Sequence, residues 1–282
     1  MRLLRYGPIG SEKPGILDKE GNIRDISGLV SDISPDVLSE KMSDLAACDL
    51  ETLPLVDNDV RIGAPVTGVG KIVCVGLNYR KHAAETGMAE PKEPLIFMKA
   101  TSAISGPYDP VISPRGATKL DWEVELAMVI GEKASYVDEA HAMEYVAGFC
   151  ILHDVSERSF QIERSGQWTK GKSADTFAPL GPWLVTPDEI ANPHQLGLWL
   201  EVNGKKMQDS NTNDLIFNLP YIISHLSHFM TLEPGDVVST GTPEGVGVGQ
   251  IPERFLDVGD TVRLGIDGLG EQYQVIQACS EN

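Results

Sequence analysis

The sequence predicts an α+β protein in which strands dominate. Three observations lead to this prediction: apolar segments of strand length recur along the chain, turns containing Gly and Pro separate them, and few segments have a helical pattern. The chain has 282 residues, of which 41% are hydrophobic and 23% are charged. This is enough for a sizeable core in one large domain, or in a moderate domain with a small companion.

The N-terminal region differs from the rest of the chain in the length and order of its predicted elements. Short strand-like pieces are joined by turns, and a polar, partly helical stretch follows them. The glycines and the proline of GAPVTGVG then indicate a linker. We therefore predict a small accessory domain at residues 1–65 and a larger domain at residues 66–282. The elements predicted in the accessory domain are strands at 1–6, 15–18 and 22–25 and a partly helical stretch at 35–50.

The larger domain begins with the apolar run KIVCVGLNY, and strands and turns dominate from there. The sequence contains no fixed-period repeat and no low-complexity tract. The predicted strands are 71–77, 95–99, 122–131, 145–152, 182–186, 198–203, 236–240 and 261–266. The predicted helices are 79–86, 137–141, 155–163 and 218–229.

The net charge and the hydropathy of the chain indicate which kinds of molecule it can bind. The formal net charge is −18, from 41 acidic and 23 basic residues, so the surface repels nucleic acid and anionic lipid. No apolar run approaches the roughly 18 residues that a membrane span needs. The first 15 residues contain no apolar segment of signal-peptide length, so we expect a cytoplasmic protein whose partner is a small molecule.

The four cysteines are widely spaced and form no CxxC pair. This spacing favours buried, reduced thiols over a disulfide framework or a zinc site. The cysteines are Cys48, Cys74, Cys150 and Cys279.

The segment KLDWEVELAMVI, residues 119–130, carries an acid at every second position. A strand directs alternate side chains to opposite faces, so Asp121, Glu123 and Glu125 share one face. Two interpretations follow from this pattern. The face is either a solvated acidic surface or a site where a cation compensates three carboxylates that raise one another's pKa.

The segment GLNYRKHAAETG, residues 76–87, predicts one short helix that Asn78 caps and Gly87 ends. His82 and Glu85 lie three residues apart on one face of this helix. A carboxylate beside an imidazole fixes its tautomer and raises its basicity, as a general base that activates water requires. The alternative is an ordinary surface histidine in a helical ion pair.

The segment FCILHDVSERSFQ, residues 149–161, predicts a strand that ends at His153 and Asp154. Asp154 is placed to join Glu123 and Glu125 as a third carboxylate, and such an oxygen-rich set suits Mg²⁺ or Mn²⁺. It is equally placed to cap a following helix, with Glu157 completing a capping box. The spacing leaves both interpretations open.

Two further segments offer groups for an anionic substrate. QWTKGKSADTFAPLGPWL, residues 167–184, carries lysines, and a lysine ammonium can stabilise a developing oxyanion or enolate, although most loop lysines are solvated. STGTPEGVGVG, residues 239–249, can line an anion pocket with backbone amides and the hydroxyl of Thr242. Its glycines are equally explained by tight turns, and it lacks the lysine of a phosphate-binding loop.

Taken together and in order, six segments resemble the fumarylacetoacetate hydrolase family. The resemblance covers residues 65–265 and implies a mixed β-roll fold and a homodimer, and the N-terminal region resembles the accessory domain of bacterial members. The segments are GLNYRKHAAETG, PLIFMKATSAISGP, KLDWEVELAMVIG, AGFCILHDVSERSFQ, QWTKGKSADTFAPLGPWLVT and GDVVSTGTPEGVG.

The resemblance also assigns roles to residues that match the family's motifs. The metal carboxylates of the family correspond to Glu123, Glu125 and Asp154, and its histidine–glutamate pair, on a segment that closes as a lid, corresponds to His82 and Glu85. The expected cofactor is Mg²⁺, with Mn²⁺ or Ca²⁺ as alternatives.

The substrate-binding residues follow in the same way. Lys172 matches the family's active-site lysine, and Thr242 matches the residue that holds a substrate carboxylate. Lys99 and Gln161 correspond to residues that line the pocket in relatives, and Asp121 has no assigned role.

The activity that the resemblance implies is hydrolysis of the C–C bond of a 2,4-dioxo acid, such as an acylpyruvate, to pyruvate and a second acid. The segment at residues 163–190 is similar to 2,4-diketo-3-deoxy-L-fuconate and rhamnonate hydrolases and to proteins labelled ureidoglycolate lyase. The hydroxylated tail of a sugar acid needs polar partners, for which Arg80, Arg164, Gln167 and Lys170 are available. Alternatives are a 2-hydroxyhepta-2,4-diene-1,7-dioate isomerase or decarboxylase, an oxaloacetate decarboxylase, a ureidoglycolate lyase, and a non-catalytic protein that retains a metal for stability.

Overall fold

The structure is a computed structural model that describes residues 1–57 and 59–280. These residues form eighteen strands. The strands are β1 (Arg2–Tyr6), β2 (Lys13–Leu17), β3 (Ile23–Asp25), β4 (Ile62–Gly63), β5 (Ile72–Gly76), β6 (Leu95–Lys99), β7 (Ile104–Ser105), β8 (Val111–Ser113), β9 (Leu120–Asp121), β10 (Val124–Ile130), β11 (Val146–His153), β12 (Ser156–Glu157), β13 (Ala178–Val185), β14 (Gly197–Val202), β15 (Lys205–Asn211), β16 (Val237–Ser239), β17 (Thr261–Ile266) and β18 (Gly270–Ala278).

Helices are short and few in the described part of the chain. The α-helices are α1 (Pro35–Glu40), α2 (Met42–Ala46), α3 (Arg80–Glu85), α4 (Thr169–Lys172) and α5 (Leu219–Phe229). Short helical segments of other types lie at Leu50–Thr52, Thr101–Ala103, Glu139–Tyr145, Ser159–Glu163, Pro187–Glu189, Thr212–Asp214 and Gly247–Gly249. The predicted class, an α+β protein dominated by strands, is confirmed.

A mixed sheet of eleven strands organises the molecule. Its main path runs β3-β2-β1-β13-β11-β10-β16-β5-β6, while β4 pairs with β1 and β7 with β13. Strand β10 lies near the centre of this sheet, antiparallel to both β11 and β16. Every residue of β10 is buried, because other elements cover both faces of the sheet at this point.

A second sheet of five strands, in the order β15-β14-β17-β18-β8, packs against the first. Gln272 of β18 shows the contact, because its amide donates to the carbonyl oxygens of Ile151 and Gly181 in the first sheet. Apolar side chains from both sheets form one core, and the inward face of α5 joins it through Ile222, Ile223 and Leu226.

The N-terminal region joins the larger sheet directly. Leu3 of β1 pairs with Leu184 of β13 in antiparallel register, and Leu3 and Ile16 belong to the main core. The division at residue 65 remains a prediction.

Some predicted elements differ from the structure. The predicted helix 137–141 lies instead at Glu139–Tyr145 and is a 3₁₀ helix. The predicted helix 155–163 is wrong at its start, where Ser156 and Glu157 pair with Asp121 and Leu120 as a short ladder, and only Ser159–Glu163 forms a helical turn. Strands β15 and β18 were not predicted, because their outward positions are polar.

The cysteines are free thiols, of which Cys74 and Cys150 are buried and Cys48 and Cys279 are partly exposed. In residues 1–57 and 59–280, no helix combines the length and the apolar character needed to span a membrane.

Candidate active site

Three buried carboxylates come together where β10 and β11 pair. Val124 lies opposite His153 in this ladder, and the amide of Asp154 donates to the carbonyl oxygen of Glu123 at 3.0 Å. Carboxylate oxygens of Glu123, Glu125 and Asp154 all lie within 4.8 Å of one another. None of the three is more than 4% exposed, so the interpretation of a solvated acidic face is wrong.

The capping interpretation of Asp154 is also wrong. Its carboxylate accepts hydrogen bonds from Lys99 and Lys172 and from no helix amide. The carboxylate of Glu157 instead accepts from the amides of Ser159 and Lys119, at 3.0 and 2.8 Å. The two acids therefore do not form a capping box.

Three buried cations surround the acids. Lys172 donates to Glu123 Oε2 at 2.7 Å and to Asp154 Oδ2 at 2.9 Å. Lys99 donates to Asp154 Oδ1 at 2.5 Å, and Arg158 donates to Glu123 Oε1 at 2.5 Å. Lys172 is 2% exposed, so it is not one of the solvated loop lysines.

These charges shift the pKa values of the two glutamates in opposite directions. Burial opposes ionisation of Glu123, but the Lys172 and Arg158 cations outweigh it and hold the pKa of Glu123 well below its usual range. Burial, followed by the neighbouring Asp154 and Glu123 carboxylates, raises the pKa of Glu125 well above its usual range. Of the two glutamates, Glu125 is therefore the one whose environment favours the protonated form.

Asp121, the third acid of the strand pattern, binds Arg158, which in turn binds Glu123. Its Oδ2 accepts from Arg158 Nε at 2.7 Å, and its two oxygens accept from the amides of Gly247 and Val248. The other guanidinium nitrogens of Arg158 contact Glu123 and Gln161. Sequence reasoning missed Arg158, although an unassigned buried acid requires such a cation.

His82 and Glu85 form the expected pair on α3. His82 Nδ1 lies 3.3 Å from Glu85 Oε2, and the amide of Gly245 donates to Glu85 Oε1 at 3.0 Å. A Cβ atom at Gly249 would lie 2.4 Å from the Glu85 carboxyl carbon, so any side chain there would displace the Glu85 carboxylate from this position. His82 is only 7% exposed, which excludes an ordinary surface histidine.

The two ends of α3 compare differently with the prediction. Gly87 has φ +68° and follows the last turn of the helix, as predicted. The predicted cap at Asn78 is wrong, since the helix begins at Arg80. The Asn78 amide instead donates to the carbonyl oxygen of Thr240 at 2.8 Å and its oxygen accepts from the amide of Phe217, which ties α3 to the glycine-rich loop.

Gln208 of β15 fixes the position of Thr242 through a hydrogen bond. Gln208 was not predicted as a site residue from the sequence. Thr242 Oγ1 donates to the carbonyl oxygen of Val124 at 3.0 Å and accepts from Gln208 Nε2 at 2.9 Å. Gln208 Oε1 accepts from the amide of Val124 at 2.9 Å, so one side chain holds both the loop and the residue between the two glutamates. Gln208 was missed because β15 was missed.

A cavity of about 120 Å³ opens over this cluster. Three predicted site residues do not line the cavity, and hydrogen bonds hold them next to other residues of the site. They are Glu85, Lys99 and Asp154. The predicted site residues that line the cavity are His82, Glu123, Glu125, Gln161, Lys172 and Thr242.

A larger cavity of about 500 Å³ lies beside the N-terminal region. Its cations, Arg5 and Arg61, are paired with Asp32 and Asp109, and it contains none of the predicted site residues. The smaller cavity is therefore the candidate active site.

The donor set fits a divalent cation. Three carboxylates with converging oxygens, and no cysteine or histidine among them, are the ligands that Mg²⁺ and Mn²⁺ prefer. The raised pKa of Glu125 supports this fit, because a bound cation would replace its proton and compensate the three acids.

The polar groups considered for a hydroxylated substrate tail do not line the cavity. Arg80 donates to the carbonyl oxygen of Leu215, and Lys170 donates to the carbonyl oxygen of Arg164. All four residues that were considered for the hydroxylated tail lie outside the cavity lining: Arg80, Arg164, Gln167 and Lys170.

Comparison with known proteins agrees with the resemblance in the sequence. Residues 71–277 match the model of the fumarylacetoacetate (FAA) hydrolase C-terminal family. A Burkholderia orbicola protein named as a hydrolase is 57% identical over 276 residues, which cover 97% of this chain and 98% of the relative.

Two solved structures illustrate the similarity of fold. Fumarylacetoacetate hydrolase from Exiguobacterium antarcticum has a TM-score of 0.89 at 34% identity, with 99% of this chain and 100% of that chain covered. Maleylpyruvate hydrolase from Sphingobium sp. SYK-6, solved with manganese(II) and pyruvate, has a TM-score of 0.83 at 30% identity and the same coverage. The chain belongs to the fumarylacetoacetate hydrolase family.

Proposed function

We propose that this protein is a metal-dependent hydrolase that cleaves the C–C bond of a 2,4-dioxo acid and releases pyruvate and a second acid. One observation carries the proposal: a single cavity joins a buried carboxylate cluster, a histidine oriented by a glutamate, and a buried lysine. Each of these parts meets one requirement of the reaction.

The carboxylates of Glu123, Glu125 and Asp154 would hold the cation, with Mg²⁺ as the proposed ion. A cation in this position supplies Lewis-acid stabilisation of negative charge on the substrate's oxygens. The manganese(II) and pyruvate in the maleylpyruvate hydrolase structure support both the type of ion and the product.

His82 would act as the general base. Glu85 lies against its Nδ1, which leaves Nε2 as the atom that accepts a proton from water. The hydroxide oxygen adds to C4 of the substrate, and the bond between C3 and C4 then breaks with its electron pair remaining on C3. C4 thereby becomes the carboxyl carbon of the departing acid, and the proton that His82 took from water returns to C3 to complete pyruvate.

Lys172 would stabilise the negative charge that develops as the bond breaks. Burial alone lowers the pKa of a lysine, but the Asp154 and Glu123 carboxylates outweigh it and raise the pKa of Lys172. The ammonium therefore stays charged and can donate to an enolate oxygen throughout the neutral pH range.

The first test measures pyruvate release from an acylpyruvate and from a 2,4-diketo-3-deoxy sugar acid, with Mg²⁺ and with EDTA. We expect release that EDTA abolishes. His82→Ala should lose hydrolysis and keep metal binding, whereas Glu123→Ala should lose both. His141→Ala is the matched control, because His141 lies 3.0 Å from Glu144 at the same spacing but is exposed.

Other outcomes identify other reactions. Full hydrolysis by His82→Ala would show that His82 does not activate the water. Oxaloacetate decarboxylation, isomerisation of an unsaturated dioxo acid, or glyoxylate from ureidoglycolate, each without C–C hydrolysis, would keep the metal site and reject the hydrolase. A protein that binds Mg²⁺ and turns over no member of this panel would be a non-catalytic member of the family.

A further inference from the structure

We propose that the substrate carries, beyond C4, a short uncharged group with an apolar end, and no second carboxylate. This inference rests on the proposed function and specifies its substrate class. It follows from the apolar side chains and the paired cations that line the cavity.

Part of the cavity lining is apolar. Phe97 and Trp168 pack edge to face there, with ring centroids 5.3 Å apart. Ile162 and Met88 extend this wall to the mouth of the cavity, where their side chains are 56% and 52% exposed. A hydroxylated tail against these side chains would lose its hydrogen bonds to water and gain none.

The cations of the cavity are already paired. Among the residues that the structure describes, Arg158 and Lys172 are the arginine and lysine that line it. Arg158 is bound to Asp121 and Glu123, and Lys172 is bound to Glu123 and Asp154. A second substrate carboxylate would therefore find no unpaired cation among the described residues of this lining to replace its hydration.

The size of the cavity also favours a short substrate tail. Its volume of about 120 Å³ is well below the ~300–1,000 Å³ that is usual for pockets that hold drug-sized ligands. A dioxo acid with a tail of one to three carbons is the class that this volume and this wall select.

A matched pair of substrates tests the inference. 2,4-Dioxoheptanoate and 2,4-dioxoheptanedioate differ only at C7, which is a methyl group in the first and a carboxylate in the second. Water cleaves the C3–C4 bond of either, giving pyruvate with butanoate or with butanedioate. With Mg²⁺ present, we expect kcat/KM to be about 100-fold higher for the methyl compound, because the carboxylate is desolvated without a partner.

A variant tests whether the apolar wall is the cause. Ile162→Arg places a cation at the mouth of the cavity and should raise kcat/KM for the dicarboxylate by about tenfold while lowering it for the methyl compound. Leu29→Arg is the matched control, because Leu29 is 52% exposed and does not line the cavity. It should leave the ratio of the two kcat/KM values unchanged.

The results separate this inference from the proposed function. Wild-type preference for the dicarboxylate, or a ratio that Ile162→Arg does not change in a folded protein, would overturn the inference and leave C–C hydrolysis intact. Pyruvate from neither compound, with Mg²⁺ bound, would overturn the proposed function and this inference together.

Discussion

Replacing Lys172 by methionine removes one of the three buried cations of the site. Lys172 is 2% exposed and pairs with both Glu123 and Asp154. Loss of one partner from a buried ion pair costs about 3–5 kcal/mol. Each of the two carboxylates retains another cation, Arg158 for Glu123 and Lys99 for Asp154, so we expect the lower limit, about 3 kcal/mol.

This free energy corresponds to a measurable change in the midpoint of thermal unfolding. At about 2.1 cal/mol/K of unfolding entropy per residue, 3 kcal/mol lowers the Tm of a 282-residue chain by about 5 °C. The deficit should be largest in EDTA and shrink with saturating Mg²⁺, because the bound ion supplies positive charge next to the same carboxylates. Activity should remain low even with Mg²⁺, by about 100-fold in kcat, since the enolate loses its ammonium donor.

Differential scanning fluorimetry of wild type and Lys172→Met, in EDTA and in a Mg²⁺ series, measures the effect. Lys170→Met is the matched control on the same short helix, because Lys170 is exposed and bonds only to the carbonyl oxygen of Arg164. The reasoning would be refuted if Lys172→Met lowered Tm no more than Lys170→Met, or if Mg²⁺ widened the difference between variant and wild type.

Three more predictions follow from the same network. Gln208→Leu leaves the Val124 amide, Thr242 Oγ1 and the Pro243 carbonyl oxygen without their partner and should lower stability by about 3 kcal/mol in urea unfolding; an unchanged midpoint would contradict this. Mg²⁺ binding must displace the proton of Glu125, so affinity should rise with pH by up to about tenfold per unit. Calorimetry in two buffers of different ionisation enthalpy should then count about one proton released. Burial lowers the pKa of His153 from 6.5 to about 3, so the unfolded chain alone gains this proton as pH falls below 6.5, and His153 by itself contributes a loss of stability of about 1.4 kcal/mol per pH unit, opposite in sign to the contribution of Glu125. Urea titrations between pH 7 and 5 should therefore show that His153→Asn loses less stability per pH unit than wild type, by about 1.4 kcal/mol.

The central strands were predictable because their hydrophobic patterns are local. The segment at 95–99 corresponds to β6 and the segment at 145–152 to β11, within a residue or two. The period of two in residues 121–125 also placed Glu123 and Glu125 together, although the regular strand begins only at Val124. These features depend on neighbouring positions along the chain, which a sequence displays directly.

The missed features depend on partners that are distant in sequence. Ser156 and Glu157 form a strand only because Leu120 and Asp121 lie beside them, and their own sequence resembles the first turn of a helix. Arg158 is buried only because Asp121 and Glu123 receive its guanidinium group. A local pattern cannot display such pairs, since each residue alone has the composition of a surface.

The distribution of charge explains how so many ionisable groups remain buried in one site. With Glu125 protonated, the carboxylates of Asp121, Glu123 and Asp154 are balanced by the cations Lys99, Arg158 and Lys172. Glu125 would then be the position of the cluster where a proton and the proposed metal ion compete, and the other ionic contacts would not need to break on binding. Such a site would be preorganised for the proposed metal ion, and the contacts that hold it are the ones that the Lys172→Met experiment measures.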